Sequence, residues 1–288
     1  MFEGVYTAIV TPFNADGSID YGRFRALIDL QAEAGIDGIV PVGTTGESPT
    51  VSYDEHIRII EVAVEAARGR LRIVAGTGAN ATAEALELTQ RAKDAGADGT
   101  LQVTPYYNRP SQTGLIRHFT AVADLGLPVM LYNIPGRTGR SIDVPTVVAL
   151  AEHPGIVAVK EAAGVVDRIT PILSACNITV ISGDDALTLP MLALGATGVV
   201  SVASNIVPRE VVAMVHHAAA GDWAAARQAH YDLYDLFTVL FLDTNPVPVK
   251  AAMAMLGLVE EVYRLPLCPT SADVKAQLRT SLVAHGLL

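Results

Sequence analysis

Eight short runs rich in β-branched and other apolar residues recur along the chain, with helical patterns between them. The candidate strands are Val5–Thr11, Gly38–Val42, Arg72–Gly76, Gly99–Thr104, Val129–Asn133, Ile156–Lys160, Thr179–Ser182 and Gly198–Val202, spaced by about 20 to 35 residues. Most are apolar without strict alternation, the pattern of strands covered on both faces. The intervening helical patterns include Tyr21–Ala34, Ser52–Ala67, Ala83–Ala95, Gly114–Leu125, Val144–Glu152, Val165–Ser174 and Ala186–Leu194. Ser52 and Glu55 fit a capping box ahead of the apolar stripe Ile59, Ile60 and Ala63. The cadence helix, Ala-Gly-(Ile/Ala)-Asp-Gly, strand occurs at Ala34–Gly38 and again at Ala95–Gly99. Repeated αβ junctions of this kind make an α/β fold, a closed (β/α)8 TIM barrel, the simplest solution. A doubly wound sheet is the alternative, but no Gly-x-Gly-x-x-Gly turn opens the first helix.

After Val202 the pattern becomes helical, at Glu210–Ala219, Trp223–Phe241, Val247–Leu256 and Asp273–His285. This exceeds what one barrel crossover needs. The expected division is a catalytic barrel over residues 1–220 and a C-terminal helical extension over residues 221–288. No polar linker separates them, so the extension is expected to pack directly on the barrel.

With 288 residues, half of them apolar, the chain can bury a large core. A formal net charge of -10 disfavours nucleic acid and anionic membranes as partners, while leaving room for a locally basic site. Cys176 and Cys268 form neither a zinc pattern nor a disulfide framework. No His-Glu-x-x-His spacing occurs, and no metal is expected. Asp184 and Asp185 read as a cap for the helix beginning near Ala186. The uncharged stretch 186–208 is interrupted by Pro190, Gly195 and Gly198, so it reads as a buried helix and strand rather than a membrane span. The opening residues lack a basic stretch leading into an apolar one, and the expected compartment is the cytoplasm.

In a barrel of this type the C-terminal strand ends carry the chemistry. The foremost candidate there is Lys160, which closes the apolar run Ile156–Val159. Burying a lysine charge is costly, and an amine held in an apolar interior can serve as a nucleophile toward a ketone. The bland readings are an ion pair with Glu161 or a solvated strand end. Schiff-base chemistry also needs proton transfers, for which Tyr132, Tyr107 and Thr44 offer hydroxyls. Thr45 and the amides of Gly43–Gly46 suit a carboxylate. The turn is no phosphate loop, because no Gly-Lys-Ser/Thr follows. Arg137 suits a second carboxylate, the alternative being an ion pair with an acidic loop residue.

Several segments carry a family resemblance. They are Gly43-Thr44-Thr45-Gly46-Glu47-Ser48, Val103 through Pro110, Tyr132 through Gly139, Val159-Lys160-Glu161, Ser182-Gly183-Asp184-Asp185 and Asp243 through Lys250. Nearly end to end, the chain resembles the pyruvate-dependent class I aldolases and lyases, and within them the 4-hydroxy-tetrahydrodipicolinate (dihydrodipicolinate) synthases. The resemblance implies a Schiff base between Lys160 and pyruvate, with no other cofactor. It implies Tyr132 as general acid/base, with Thr44 and Tyr107 completing a proton relay in which Tyr107 reaches into a partner's site. Thr45 is implied as a pyruvate-carboxylate ligand, Arg137 as the residue receiving the carboxylate of L-aspartate 4-semialdehyde, and the Gly183 and Val200 backbones as pocket lining. A homotetramer built as a dimer of tight dimers is implied, on a route to diaminopimelate and lysine. Ser48, Pro49, Tyr53, His56, Asn80, Glu84 and Tyr106 match a site where family members bind L-lysine. Here Tyr53 stands where relatives can carry His, and Pro49 where they can carry Ala, so lysine sensitivity is a hypothesis. The rival readings are another pyruvate aldolase, acting on N-acetylneuraminate or a 2-keto-3-deoxy sugar acid, and a noncatalytic binding protein. A binding protein should have lost part of the relay, and none is missing.

Overall fold

The structure, a computed structural model, describes residues 2–288. Its parallel strands are β1 Gly4–Ala8, β2 Gly38–Val40, β3 Arg72–Gly76, β4 Gly99–Val103, β5 Val129–Asn133, β6 Ile156–Glu161, β7 Thr179–Ser182 and β8 Gly198–Ser201. They close in sequence order, with β8 pairing back onto β1. The (β/α)8 barrel expected from the sequence is the observed fold. β2 ends earlier than its apolar run, because Pro41 has no N–H for the ladder and Val42 turns to φ +48. β6 runs one residue further than expected, to Glu161.

The repeated Ala-Gly-x-Asp-Gly cadence has a physical explanation. The carboxylate of Asp37 accepts the N–H of Val5 at 2.8 Å, and that of Asp98 accepts the N–H of Ile73 at 2.8 Å. Each aspartate therefore ties the start of one strand to its neighbour. The glycine that follows makes room for an aromatic ring closing the barrel floor. A Cβ on Gly38 would lie 2.5 Å from Tyr6, and one on Gly99 would lie 2.4 Å from Phe2. Those two rings meet edge to face with centroids 6.2 Å apart.

Above that floor, Ala8, Val40, Val74, Leu101, Met130, Ala158, Ile181 and Val200 point into the barrel. Side chains alternate along a strand, so residues two positions further on also face inward, one layer higher. Between strands and helices lie the outer apolar layers, built from Val5, Ile39, Ile59 and Ile73 on one side and Val129, Leu131, Val159 and Val180 on the other.

Beyond the barrel's last helix, Pro208–Ala219, three helices follow, Trp223–Val239, Val247–Met255 and Ala272–Ala284. Leu236, Phe237, Val249, Met253, Leu278 and Leu282 join the same apolar cluster as Val5, Ile9 and Ile28. This packing brings the segment before Val247 to the barrel mouth. The expected capping box forms at Ser52 and Glu55. The helix expected at Ala186 begins at Thr188 instead. The Asp184 carboxylate accepts the N–H groups of Ala186 and Leu187, which holds those residues in a turn. Asp185 has a different task from the expected cap: its carboxylate accepts the N–H groups of Val202 and Ala203 at 2.9 and 3.0 Å, fixing the end of β8. No helix among the described residues is long and apolar enough to cross a membrane.

Candidate active site

Lys160 stands two residues after the inward-facing Ala158 and is itself buried. Its register partner on β5 is Tyr132, whose side chain shares the same face. The pairing depends on a bulge. Val129 pairs with Ile156, but Met130 pairs with Ala158, so Val157 is skipped. Without that extra residue Tyr132 would face Val159. Lys160 Nζ consequently lies 4.1 Å from the centroid of the Tyr132 ring. Gly183 shapes the other side of the lysine: a Cβ there would lie 2.8 Å from Lys160 Cε and 2.7 Å from the Ala162 methyl.

The ion pair between Lys160 and Glu161 that the sequence left open is not formed. Consecutive strand residues point to opposite faces. Glu161 accepts Asn133 Nδ2 at 2.8 and 2.9 Å, the Ala163 N–H at 2.9 Å and Arg168 Nε at 3.0 Å. Asn133 Oδ1 in turn accepts the Ile142 N–H at 2.9 Å, and Arg168 donates to the Ile142 carbonyl at 2.6 Å. This buried polar group braces the loop beyond Arg137.

The turn after β2 supplies Thr44 and Thr45. Thr45 Oγ1 accepts a hydrogen bond from Asn245 Nδ2 at 3.0 Å. Arg137 sits on the short helix Pro135–Thr138. Its guanidinium donates to the Asn245 carbonyl at 2.9 Å, where the sequence had allowed an acidic partner. Together with Lys160, Tyr132 and Gly183, these residues line a cleft at the barrel mouth. A buried amine, a phenol, a threonine hydroxyl and a guanidinium facing one space can form an imine with a ketone, relay protons and hold carboxylates. Val202 rather than Val200 lines this cleft. Val200 lies lower in the barrel interior, in the apolar cluster that includes Tyr132.

Tyr107 is not among the cleft-lining residues. It is 92% exposed, and its backbone adopts φ +70. Tyr106 instead lines a second cleft, with Ser48, Pro49, Tyr53, His56 and Glu84. Asn80 is not among its lining residues, and the Asn80 carbonyl accepts Asn108 Nδ2 at 2.8 Å. His56 Nε2 lies 2.8 Å from the Gly76 carbonyl. Burial lowers the His56 pKa to about 4, so its ring is neutral near pH 7 and donates that hydrogen bond. Among the described residues, no three His, Cys, Asp or Glu side chains are grouped to hold a metal ion.

Residues 1–285 match the model of the dihydrodipicolinate synthetase family. The chain belongs to that family. It is 50% identical to the 4-hydroxy-tetrahydrodipicolinate synthase of Pelobacter propionicus, over 100% of both chains. Among solved structures, it is similar to the chloride-inhibited dihydrodipicolinate synthase of Acinetobacter baumannii complexed with pyruvate. There the TM-score is 0.98, with 42% identity over 100% of both chains. It is also similar to the Cyanidioschyzon merolae enzyme with lysine bound, at a TM-score of 0.97 and 45% identity over 100% of this chain and 99% of the other.

Asn245 was not assigned a role from the sequence, although it lies within a segment that carries the family resemblance. It is 200 positions from Thr45, and no local pattern announces that pairing. Phe241, also a lining residue, carries only an apolar helical signal.

Proposed function

We propose that this cleft condenses pyruvate with L-aspartate 4-semialdehyde to give 4-hydroxy-tetrahydrodipicolinate, on the route to diaminopimelate and lysine. The observation that carries the reading is the buried Lys160 amine held over the Tyr132 ring, below a mouth lined by Thr45 and Arg137. Membership in the dihydrodipicolinate synthetase family supports the same condensation.

In this reading the Lys160 amine adds to the ketone carbon of pyruvate, and water leaves to give an imine. Thr45 and the Gly43–Gly46 amides hold the pyruvate carboxylate. Loss of a methyl proton gives the enamine, whose carbon attacks the aldehyde of the second substrate. Tyr132 and Thr44 pass protons to and from the reacting atoms. Arg137 holds the carboxylate of the semialdehyde. The substrate's own amine then adds to the imine carbon and displaces Lys160, closing the ring. One water is released overall, and the covalent imine at Lys160 takes the place of a separate cofactor.

The rival reading, a sugar-acid aldolase, shares the pyruvate half. Arg137 at the mouth favours a short aldehyde bearing an acid over a polyol. We assign Tyr107 to the cleft of a neighbouring subunit in a homotetramer of tight dimers. Its exposure and its left-handed backbone conformation support that assignment. The second cleft is assigned to L-lysine as an effector, through its lining residues Ser48, Pro49, Tyr53, His56, Glu84 and Tyr106. The bound lysine of the Cyanidioschyzon merolae relative supports this. The substrates are small metabolites, and we place the enzyme in the cytoplasm with them.

The test is turnover with pyruvate and L-aspartate 4-semialdehyde, coupled to a dihydrodipicolinate reductase and followed by NADPH loss. Turnover is expected. A pyruvate adduct at Lys160 without turnover would reject this acceptor and favour sugar-acid aldehydes. A flat rate up to millimolar L-lysine would reject the effector site.

A further inference from the structure

Lys250 and Glu47 form an ion pair in which both side chains have 0% exposure. Lys250 Nζ donates to Glu47 Oε1 at 2.5 Å and to the Thr11 carbonyl at 3.1 Å. It also lies 4.3 Å from the centroid of Phe13 and 5.3 Å from that of Tyr263. Lys250 does not line the cleft, so the pair stands outside the chemistry. Burial lowers the pKa of the Lys250 ammonium, and the Glu47 carboxylate works against that shift.

Stability alone gives little reason for such a pair. Removing two charges from water costs about as much as their attraction returns, and apolar replacements of similar volume are often as stable or more so. Its location supplies a different reason. Glu47 lies two residues after Thr45, in the turn after β2, at φ +57. Lys250 lies five residues after Asn245, on the helix Val247–Met255. The ion pair therefore joins the same two segments that meet at the Thr45–Asn245 hydrogen bond. Asn245 also holds the Arg137 guanidinium through its carbonyl.

We infer that Glu47 and Lys250 are positioning residues for the reaction. Their pairing sets the C-terminal segment against the β2 turn, so that Asn245 orients the Thr45 hydroxyl and the Arg137 guanidinium. Because Asn245 Nδ2 donates to Thr45 Oγ1, the Thr45 hydroxyl hydrogen is free to point at a substrate carboxylate. This inference rests on the proposed roles of Thr45 and Arg137.

The test is the double variant Glu47→Leu/Lys250→Met, which removes both charges together. It is expected to fold, with a melting temperature within about 5 °C of the parent. Its kcat/KM for pyruvate is expected to fall by about 10- to 100-fold, as misplacement of a binding group produces. In an Asn245→Ala background the same double change should cost less than about twofold in kcat/KM for pyruvate, because its effect on Thr45 runs through the Asn245 side chain, while the main-chain carbonyl that holds Arg137 is kept. A folded double variant with the parent's kcat/KM would overturn the inference, and so would full additivity with Asn245→Ala. Should the double variant not fold, Glu47→Gln replaces it in the same cycle. Loss of folding in both would assign the pair to the fold alone and overturn the proposal. Thr45→Val separates this from failure of the underlying reading. If Thr45→Val leaves the pyruvate kcat/KM unchanged, the role of Thr45 fails. If it lowers that value while the double variant does not, only the positioning role of the ion pair fails.

Discussion

Lys160 Nζ lies 4.1 Å from the centre of the Tyr132 ring, and the two residues are register partners across β5 and β6. The ring and the hydroxyl of Tyr132 therefore have separable tasks. The ring packs against the lysine, and the hydroxyl is the candidate proton carrier.

Tyr132→Phe keeps the ring and removes the hydroxyl. The expected outcome is a folded protein whose turnover falls by about 10²–10⁴-fold, the usual contribution of a positioned acid or base. Borohydride should still trap pyruvate on the protein after longer incubation. Coupled turnover and intact mass measure the two effects. Full turnover in this variant would remove Tyr132 from the proton relay.

Gly183→Ala tests the steric requirement beside the lysine. The new methyl would lie 2.8 Å from Lys160 Cε and 2.7 Å from the Ala162 methyl. Overpacking of this kind costs about 1–3 kcal/mol. The expected result is a lower denaturation midpoint together with a loss of kcat/KM of about tenfold or more, since the amine must move to relieve the contact. Parent-like values of both would show that the lysine stem has room to move.

Much of this arrangement was legible in the sequence, and the reasons are local. Strands buried on both faces leave uninterrupted apolar runs, so the eight strands and the position of Lys160 at the end of one could be read directly. The capping box at Ser52 and Glu55 was equally local. Other features depend on distant contacts. The bulge at Val157 that sets Lys160 opposite Tyr132 is a property of pairing between strands. The bond between Asn245 and Thr45 and the ion pair between Glu47 and Lys250 join residues more than 190 positions apart. Asp184 and Asp185 look alike as neighbours, yet one carboxylate holds a turn and the other the end of β8.

Buried histidines make stability depend on pH. Burial lowers the pKa of His56 from 6.5 to about 4, and that of His118 likewise from 6.5 to about 4. Between these values the unfolded chain binds protons that the folded chain does not. The contribution of these histidines is therefore complete above about pH 6.5 and is lost as pH falls toward 4, by about 1.4 kcal/mol per pH unit for each histidine. Urea denaturation at a series of pH values should show this slope, and His118→Gln should reduce it. A variant slope equal to the parent's would contradict the assignment. Glu55 acts lower in the range. Its hydrogen bonds to Arg264 hold its pKa at about 2, so its contribution is present above about pH 4.5 and disappears as pH falls through 2.

The most direct test of the account is the site of the covalent pyruvate adduct. The parent protein and Lys160→Ala would each be incubated with pyruvate, reduced with borohydride and examined by intact mass and peptide mapping. The account predicts a single reduced adduct on the peptide containing Lys160 in the parent. It predicts no adduct in the variant, with the fold retained by circular dichroism. An adduct of equal yield in Lys160→Ala would place the nucleophile elsewhere and contradict the central claim.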